Sequence, residues 1–388
     1  MSDATLRSEL LSTSFSFIPV GQGTSVLGSL PDGTVASSNS ARCHRACTGE
    51  KSGRHLPSGR LPEIDVARRG DTMSDNDTSR FAHSSIMLDE IRGVFSGLDH
   101  GTFLDATLGG AGHSYAMLSD HPDVQLLGID QDDVALAHAS QILSDFSSRV
   151  TLRRARFDAV AQVCATEGIA QLSGALFDLG VSSPQFDVAE RGFSYRHDGP
   201  LDMRMDQRSD LTANVVVNTY TESQLANIIS SYSDERFAQR IARAIVSARP
   251  LQSTVQLAEV ITAAIPAATR RRGGHPAKRT FQAIRIEVNQ ELEILPRALQ
   301  DVIDLLAPGA RLAVLTFHSG EDRIVKEVMR LAETGGCTCP PTLPCGCGAI
   351  RTARRVRAPK TPTSQEISRN NRASSARLRV IEKIEGQG

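Results

Sequence analysis

The 388-residue sequence predicts an α/β fold, a doubly wound parallel sheet interrupted by a helical insertion. Three observations predict it. Short apolar runs alternate with helix-compatible stretches from about residue 102 to residue 179, the pattern of consecutive βαβ units. A glycine-dense turn, Gly109-Gly-Ala-Gly112, stands between the first run and the first helix. From 211 to 295 the alternation stops and only helical spacing remains.

Composition narrows the class. The length suits two domains plus tails, and a hydrophobic content of 40% supports a sizeable core. Trp is absent and aromatics reach only 4%, which argues against broad aromatic platforms for bases. No apolar run approaches the ~18 residues of a membrane-spanning helix. The N-terminus lacks a basic-then-apolar export pattern. Seven cysteines without such a signal read as reduced thiols or metal ligands, not a disulfide framework. A cytoplasmic location is the default expectation.

Residues 1–80 are rich in Ser, Gly, Arg and Asp and lack periodicity, so they read as a disordered extension. Cys43, Cys47, His44 and His55 fall here, and incidental residues of a flexible tail are preferred over a metal site. Because ordered sequence begins within ten residues of it, Met73 is the expected start. Residues 83–95 read as a loop leading into a helix, with Ile86, Leu88 and Ile91 apolar. Strand 102–107 then runs into the glycine turn, and helix 113–119 follows. A turn with so few side chains lets a ligand approach the backbone. Strand 124–129 ends on Asp130, about 20 residues past Gly109, where such folds place an acid for a ribose hydroxyl pair. The alternative is a tight turn with Asp130 as a helix N-cap. The spacing is not G-x-G-x-x-G, so an adenosyl ligand without a pyrophosphate, such as S-adenosylmethionine, suits it better than a dinucleotide.

Helix 132–143, strand 150–154, helix 158–167 and strand 174–179 continue the alternation. The fourth strand ends on Asp178, which either faces a reacting group or caps a turn before Ser182-Ser183-Pro184. Ligands in such sheets lie at the carboxyl ends of the strands. The candidates there are 109–113, Asp130, Arg156-Phe157 and Asp178. The loop 187–206 carries Arg191, Arg196, Asp198, Asp202, Arg204 and Asp206, either a site rim or a solvated loop. Helices are expected at 222–232, 235–248, 254–265 and 276–295. From Arg236 to Arg285, ten basic residues stand against one acid, Glu259, a net charge of +9. Phosphate attraction is the usual reason for such a field, and the run Arg270-Arg-Arg-Gly-Gly-His275 favours nucleic acid over a solvated face. A turn at Ala307-Pro-Gly309 leads into a fifth strand, 311–317, ending on His318-Ser319, and helix 321–333 follows. Cys337, Cys339, Cys345 and Cys347 sit within eleven residues and could hold zinc, although a reduced surface loop is preferred and no metal is assigned. A basic segment, 351–360, precedes a closing strand, 376–384, expected at the sheet edge.

At these residues the chain resembles the MraW/RsmH family of S-adenosylmethionine-dependent methyltransferases that act on N4 of a cytidine in 16S ribosomal RNA. The matches are Asp105-Ala-Thr-Leu-Gly-Gly-Ala-Gly-His113, Asp178-Leu-Gly-Val-Ser-Ser-Pro-Gln185, Glu190-Arg-Gly-Phe-Ser194, Asp198-Gly-Pro-Leu-Asp-Met-Arg-Met-Asp206, Glu235-Arg-Phe-Ala238, Thr280-Phe-Gln-Ala-Ile-Arg285 and Phe317-His-Ser319. They run in order from about residue 80 to 385. The resemblance implies a Rossmann-like class I methyltransferase core in two parts, 81–210 and 296–388, around an inserted substrate-recognition domain, 211–295. It implies Ala111, Gly112 and His113 as the cofactor loop, Asp130 at the ribose, and Phe157, Asp178 and Gln185 around the cofactor. The substrate it implies is the decoding region of the small ribosomal subunit. Gly320 departs from the family, which usually carries leucine there, and is expected to loosen the turn after the fifth strand. Asp178 is the expected acceptor for the amine during methyl transfer. The competing readings are an amino-group methyltransferase acting on DNA or protein, and a non-catalytic RNA-binding assembly factor. Oligomeric state is open, a homodimer being one option.

Overall fold

The computed structural model describes residues 85–270, 274–340, 342 and 346–385. Cys43, His44, Cys47, His55, Met73, Arg271, Arg272 and Cys345 lie outside them, as do the expectations placed on those residues. Seven strands form one sheet: β1 (Gly101–Asp105), β2 (Val124–Asp130), β3 (Val150–Arg154), β4 (Leu172–Asp178), β5 (Leu306–Thr316), β6 (Ala353–Arg355) and β7 (Arg377–Lys383). Their spatial order is β3-β2-β1-β4-β5-β7-β6. β1 to β5 are parallel, and β7 runs antiparallel to both β5 and β6. The chain therefore winds outward from β1 to β3 and returns to the other side of β1 as β4. This reversal opens a crevice at the carboxyl ends of β1 and β4.

Alternate residues of the strands feed two cores, as period-2 side chains on a doubly covered sheet must. Leu104, Leu127, Ala175, Phe177, Leu312 and Val314 face one core, shared with helices Val160–Thr166, Glu291–Leu305 and Ser319–Thr334. Phe103, Leu126, Leu176, Ala313 and Leu315 face the other, shared with Met117 and Ala139 of helices Gly112–Asp120 and Asp133–Ile142. A third, wholly separate cluster is helical. It gathers Val216, Leu225, Ile229, Ile241, Ile245, Leu257, Ile261, Phe281 and Ile284 from the stretch between β4 and β5.

Several elements differ from the sequence expectation. The helix expected at 276–295 is two helices, Lys278–Asn289 and Glu291–Leu305, parted at Gln290, whose φ is 55°. Glutamine carries no turn signal, so the break is set by packing: Leu295, Leu299 and Val302 turn into the sheet core. Helix Ala213–Thr219 has no counterpart in the sequence expectation, being short and rich in β-branched Val215, Val216, Val217 and Thr219. β5 begins at Leu306, before the Ala307-Pro-Gly309 turn. Its pairing with β4 jumps from Leu172↔Leu306 to Gly174↔Arg311, so the turn is a bulge inside the strand. β7 is not the edge, because three-residue β6 covers it. Among the described residues no helix is long and apolar enough to cross a membrane.

Candidate active site

The crevice holds a cavity of about 420 Å³ lined from nearly every strand end. Ala111, Gly112, His113, Asp130, Phe157, Asp178 and Gln185, distant in sequence, all line it. The glycine turn builds one wall. Gly109 takes a φ of 48° and Ala111 a φ of 58°, a left-handed conformation that costs a residue with a Cβ of order 1 kcal/mol. The turn swings the chain from β1 into helix Gly112–Asp120. At Gly110 a side chain would meet nothing within 4 Å, which leaves the cavity open against the backbone.

Asp130 faces this turn. Its Oδ2 accepts the Gly109 N–H at 2.8 Å and its Oδ1 the Asp132 N–H at 2.9 Å. Burial raises its pKa to about 6 against the opposing pull of those two N–H groups. Each carboxylate oxygen has two lone pairs, so each keeps one acceptor position after these bonds. The N-cap role belongs to Asp132, whose Oδ1 takes Val134 N–H at 3.0 Å.

Asp178 ends β4, and its N–H donates to Thr107 Oγ1 at 2.6 Å. Its Oδ2 lies 3.6 Å from His113 Nε2, too far for a hydrogen bond. Asp178 Oδ1 and both ring nitrogens of His113 are buried with no hydrogen-bond partner among the described residues. Such atoms are rare inside folded proteins, and here they adjoin a cavity. Behind them Asp105 is engaged at both oxygens: Oδ2 takes Ser114 O–H at 2.6 Å and Oδ1 takes Thr107 N–H at 3.2 Å. Burial raises the Asp105 carboxyl despite the Ser114 bond.

Phe157 and Gln185 line the cavity differently. The Phe157 ring stands edge-on to Phe177 in the core, with centroids 5.9 Å apart. The Gln185 amide is engaged at both ends, donating to Asp132 Oδ2 at 3.0 Å and accepting Ser182 N–H at 3.1 Å. Arg191 reaches the same Asp132 Oδ2 at 2.7 Å and donates to the carbonyls of Arg204 and Met205. The loop 187–206 is therefore fastened from within. Arg204 pairs with Asp202, and Asp206 with Arg154.

The opposite wall escaped the sequence reading. Arg285 forms a two-pronged pair with Glu291, at 2.9 and 2.8 Å, with both side chains largely buried. Burial pushes Glu291 up while Arg285 draws it down, and the net direction is up. Glu321 Oε2 accepts the Phe317 N–H at 2.7 Å, and Oε1 lies 3.0 Å from His318 Nε2. His318 Nδ1 accepts the Glu321 N–H at 3.4 Å, while its Nε2 has no hydrogen-bond partner among the described residues. Burial alone would raise Glu321, but His318 and Arg285 hold it below its ordinary value. Gly320 does not loosen this turn. It lies in the first turn of a helix closed by the His318–Glu321 capping box, and a Cβ there would stand 3.1 Å from Leu292 Cδ1 and His318 Nδ1.

The positive field of the insertion is also redistributed. Arg249 donates to the carbonyls of Val217 and Tyr220, and Arg285 is committed to Glu291, so neither is open to a phosphate. Arg236, Arg240, Arg243, Arg270, Lys278 and Arg279 are exposed, and Lys278 also lines the cavity.

Comparison with known proteins matches residues 80–384 to the family described as the MraW methylase family. A protein of Symbiobacterium thermophilum named ribosomal RNA small subunit methyltransferase H is 49% identical over 312 residues, covering 79% of this chain and 98% of that protein. One of the same name from a Geobacter species is 48% identical over 310 residues, covering 78% and 99%. A third, from a Paenibacillus species, is 46% identical over 316 residues, covering 78% and 100%.

Proposed function

The chain belongs to the MraW methylase family, and from that premise we propose that it methylates the N4 amino group of a cytidine in 16S ribosomal RNA of the small subunit, with S-adenosylmethionine as methyl donor. The observation that carries the reading is the set of unmet polar atoms converging on the β1/β4 crevice: Asp178 Oδ1, the His113 nitrogens, and the spare acceptor positions of Asp130.

The residues fit the donor. Asp130 has one acceptor position left on each oxygen, which suits a ribose diol. The open backbone at Gly110 admits a close-lying ligand, while Phe157 and the Gln185–Asp132 bond fix the walls. Bound there, S-adenosylmethionine supplies an electrophilic sulfonium methyl. The protein's own contribution is placement and charge. A cytosine amine is a weak nucleophile because its lone pair is delocalised into the ring, and it gains positive charge as it is methylated. Asp178, fixed by its backbone bond to Thr107, offers a carboxylate oxygen to accept a hydrogen bond from that amine. An aligned acceptor lowers the barrier without a covalent step, and the surplus proton leaves to Asp178 or to water.

The helical cluster between β4 and β5 suits RNA. Lys278 brings its positive charge to the cavity rim. Nearby Tyr195 stacks on His275 with centroids 4.4 Å apart and Arg196 over the ring, beside Arg270 in a cavity of about 540 Å³. Stacked rings next to cations are what single-stranded bases use. On this reading the protein works in the cytoplasm with its substrate.

The test is to incubate the purified protein with methyl-labelled S-adenosylmethionine and small subunits lacking the modification, then to digest the RNA to nucleosides. Label in N4-methylated cytidine is expected. Label only in DNA or protein offered in parallel contradicts the substrate. Changing Arg270 and Lys278 together to alanine is expected to flatten the salt dependence of RNA binding by roughly one to two charges while leaving cofactor affinity within about twofold. An unchanged slope removes them from the footprint.

A further inference from the structure

Between helix Ser319–Thr334 and β6 the chain makes an excursion whose described residues form no helix or strand. It has almost nothing apolar to bury: Ile350 is 57% exposed. Its neck is closed by the backbone bond from Thr352 N–H to Ala332 O at 2.9 Å, while Cys337 N–H turns back on Thr334 O at 3.1 Å. Gly335, at a φ of 60°, lets the two arms touch, since a Cβ there would stand 2.4 Å from Ile350 O. Ordering such a segment costs about 1 kcal/mol or more per residue in backbone entropy.

Nevertheless the Sγ atoms of Cys337, Cys339 and Cys347 all lie within 4.8 Å of one another. Three soft donors converge at the tip of a loop that has no core of its own. None of the three lines the active-site cavity, so catalysis does not account for them.

We propose that these three thiolates bind a zinc ion that holds the loop closed. Sulfurs placed about 2.3 Å from a tetrahedral zinc stand roughly 3.8 Å from one another, so the three need to close by about 1 Å at most. Thiolate sulfur selects zinc over magnesium or calcium, which prefer oxygen. Each cysteine releases one proton to solvent on ligation, so three protons leave as the ion enters. A fourth donor completes the tetrahedron. The sequence carries a further cysteine, Cys345, two residues before Cys347, and the site is defined here by the three described ones. Zinc has no redox role in this position and meets no substrate. It acts as a staple for a segment too polar to fold on its own account.

The full chain, purified under reducing conditions without chelator and reconstituted with zinc, is expected to hold about one zinc per chain by elemental mass spectrometry. Cys339→Ser and Cys347→Ser are each expected to lower that occupancy at least tenfold. Since a serine variant could misfold, the wild type is also stripped with a chelator and probed with trypsin. Cleavage after exposed Arg351 is expected to accelerate about tenfold in the stripped protein and to return to its original rate when zinc is restored. Cobalt in place of zinc is expected to give the intense sulfur-to-metal absorption of thiolate ligation. Occupancy below about a tenth after reconstitution overturns the proposal, as does recovery of these cysteines as disulfides that resist alkylation. Cleavage at Arg351 indifferent to stripping overturns the staple.

Discussion

The two sides of the cavity are built from the same residue types and differ in what those residues have left to give. On the β1–β2–β4 side, Asp130 keeps an acceptor position on each oxygen, and Asp178 Oδ1 and the His113 nitrogens have no hydrogen-bond partner among the described residues. On the β5 side the carboxylates face cationic or imidazole partners instead: Arg285 is locked to Glu291 by two bonds, and Glu321 takes the Phe317 N–H with its Oε1 3.0 Å from His318 Nε2, a nitrogen that itself has no hydrogen-bond partner among the described residues. A buried charge paired with an opposite charge fixes geometry, because moving it leaves its partner bare in a low dielectric. A buried carboxylate held only by backbone N–H groups at a cavity wall is held ready for something that arrives. On the proposed function the first side binds and reacts, and the second side joins the two helices that meet at the Gln290 break. Comparing what each carboxylate is paired with tells the two apart where counting charged residues does not.

The largest effect separates the sides through stability. Arg285→Met leaves Glu291 buried without its partner and is expected to cost about 3–5 kcal/mol of unfolding free energy. Arg285→Met combined with Glu291→Met removes both charges and is expected to restore most of it. Urea denaturation of the single and double variants checks this, and additive losses would contradict the paired reading. Next comes Asp178→Asn, which keeps shape and removes charge. At saturating cofactor, methyl transfer is expected to fall about a hundredfold or more, as for the loss of other pre-placed electrostatic groups, with stability within about 1 kcal/mol. A change of only a few-fold would take Asp178 out of the chemistry.

The comparison also explains what the sequence let one read. The glycine turn, Asp130 and Asp178 were legible as candidates because each sits at a local feature, a strand-to-helix turn or the last residue of a strand. The apolar alternation that fed both sheet cores was legible for the same reason. Arg285–Glu291 was not, because it straddles a helix break at Gln290 that no glycine or proline announces. The bond from Arg191 to Asp132 spans 59 residues and turns a charged loop that reads as solvated into an internal brace. Three-residue β6 is too short for a period to show. The convergence of Cys337, Cys339 and Cys347 depends on where Gly335 and Ile350 meet, a contact that spacing alone does not reveal.

The most direct test of the claim that spare acceptor capacity marks the binding side is the pH dependence of cofactor affinity. Asp130, raised to about 6 by burial, must be ionised to accept from both ribose hydroxyls. Below that pH its proton occupies one acceptor position and competes with the ligand. Calorimetric titration with S-adenosylhomocysteine is expected to show an affinity nearly constant above pH 7 and weaker by roughly tenfold at pH 5. Asp130→Asn should bind more weakly and lose this dependence. Equal affinity at pH 5 and pH 7 in the wild type, or an unchanged pH profile in Asp130→Asn, would contradict the account.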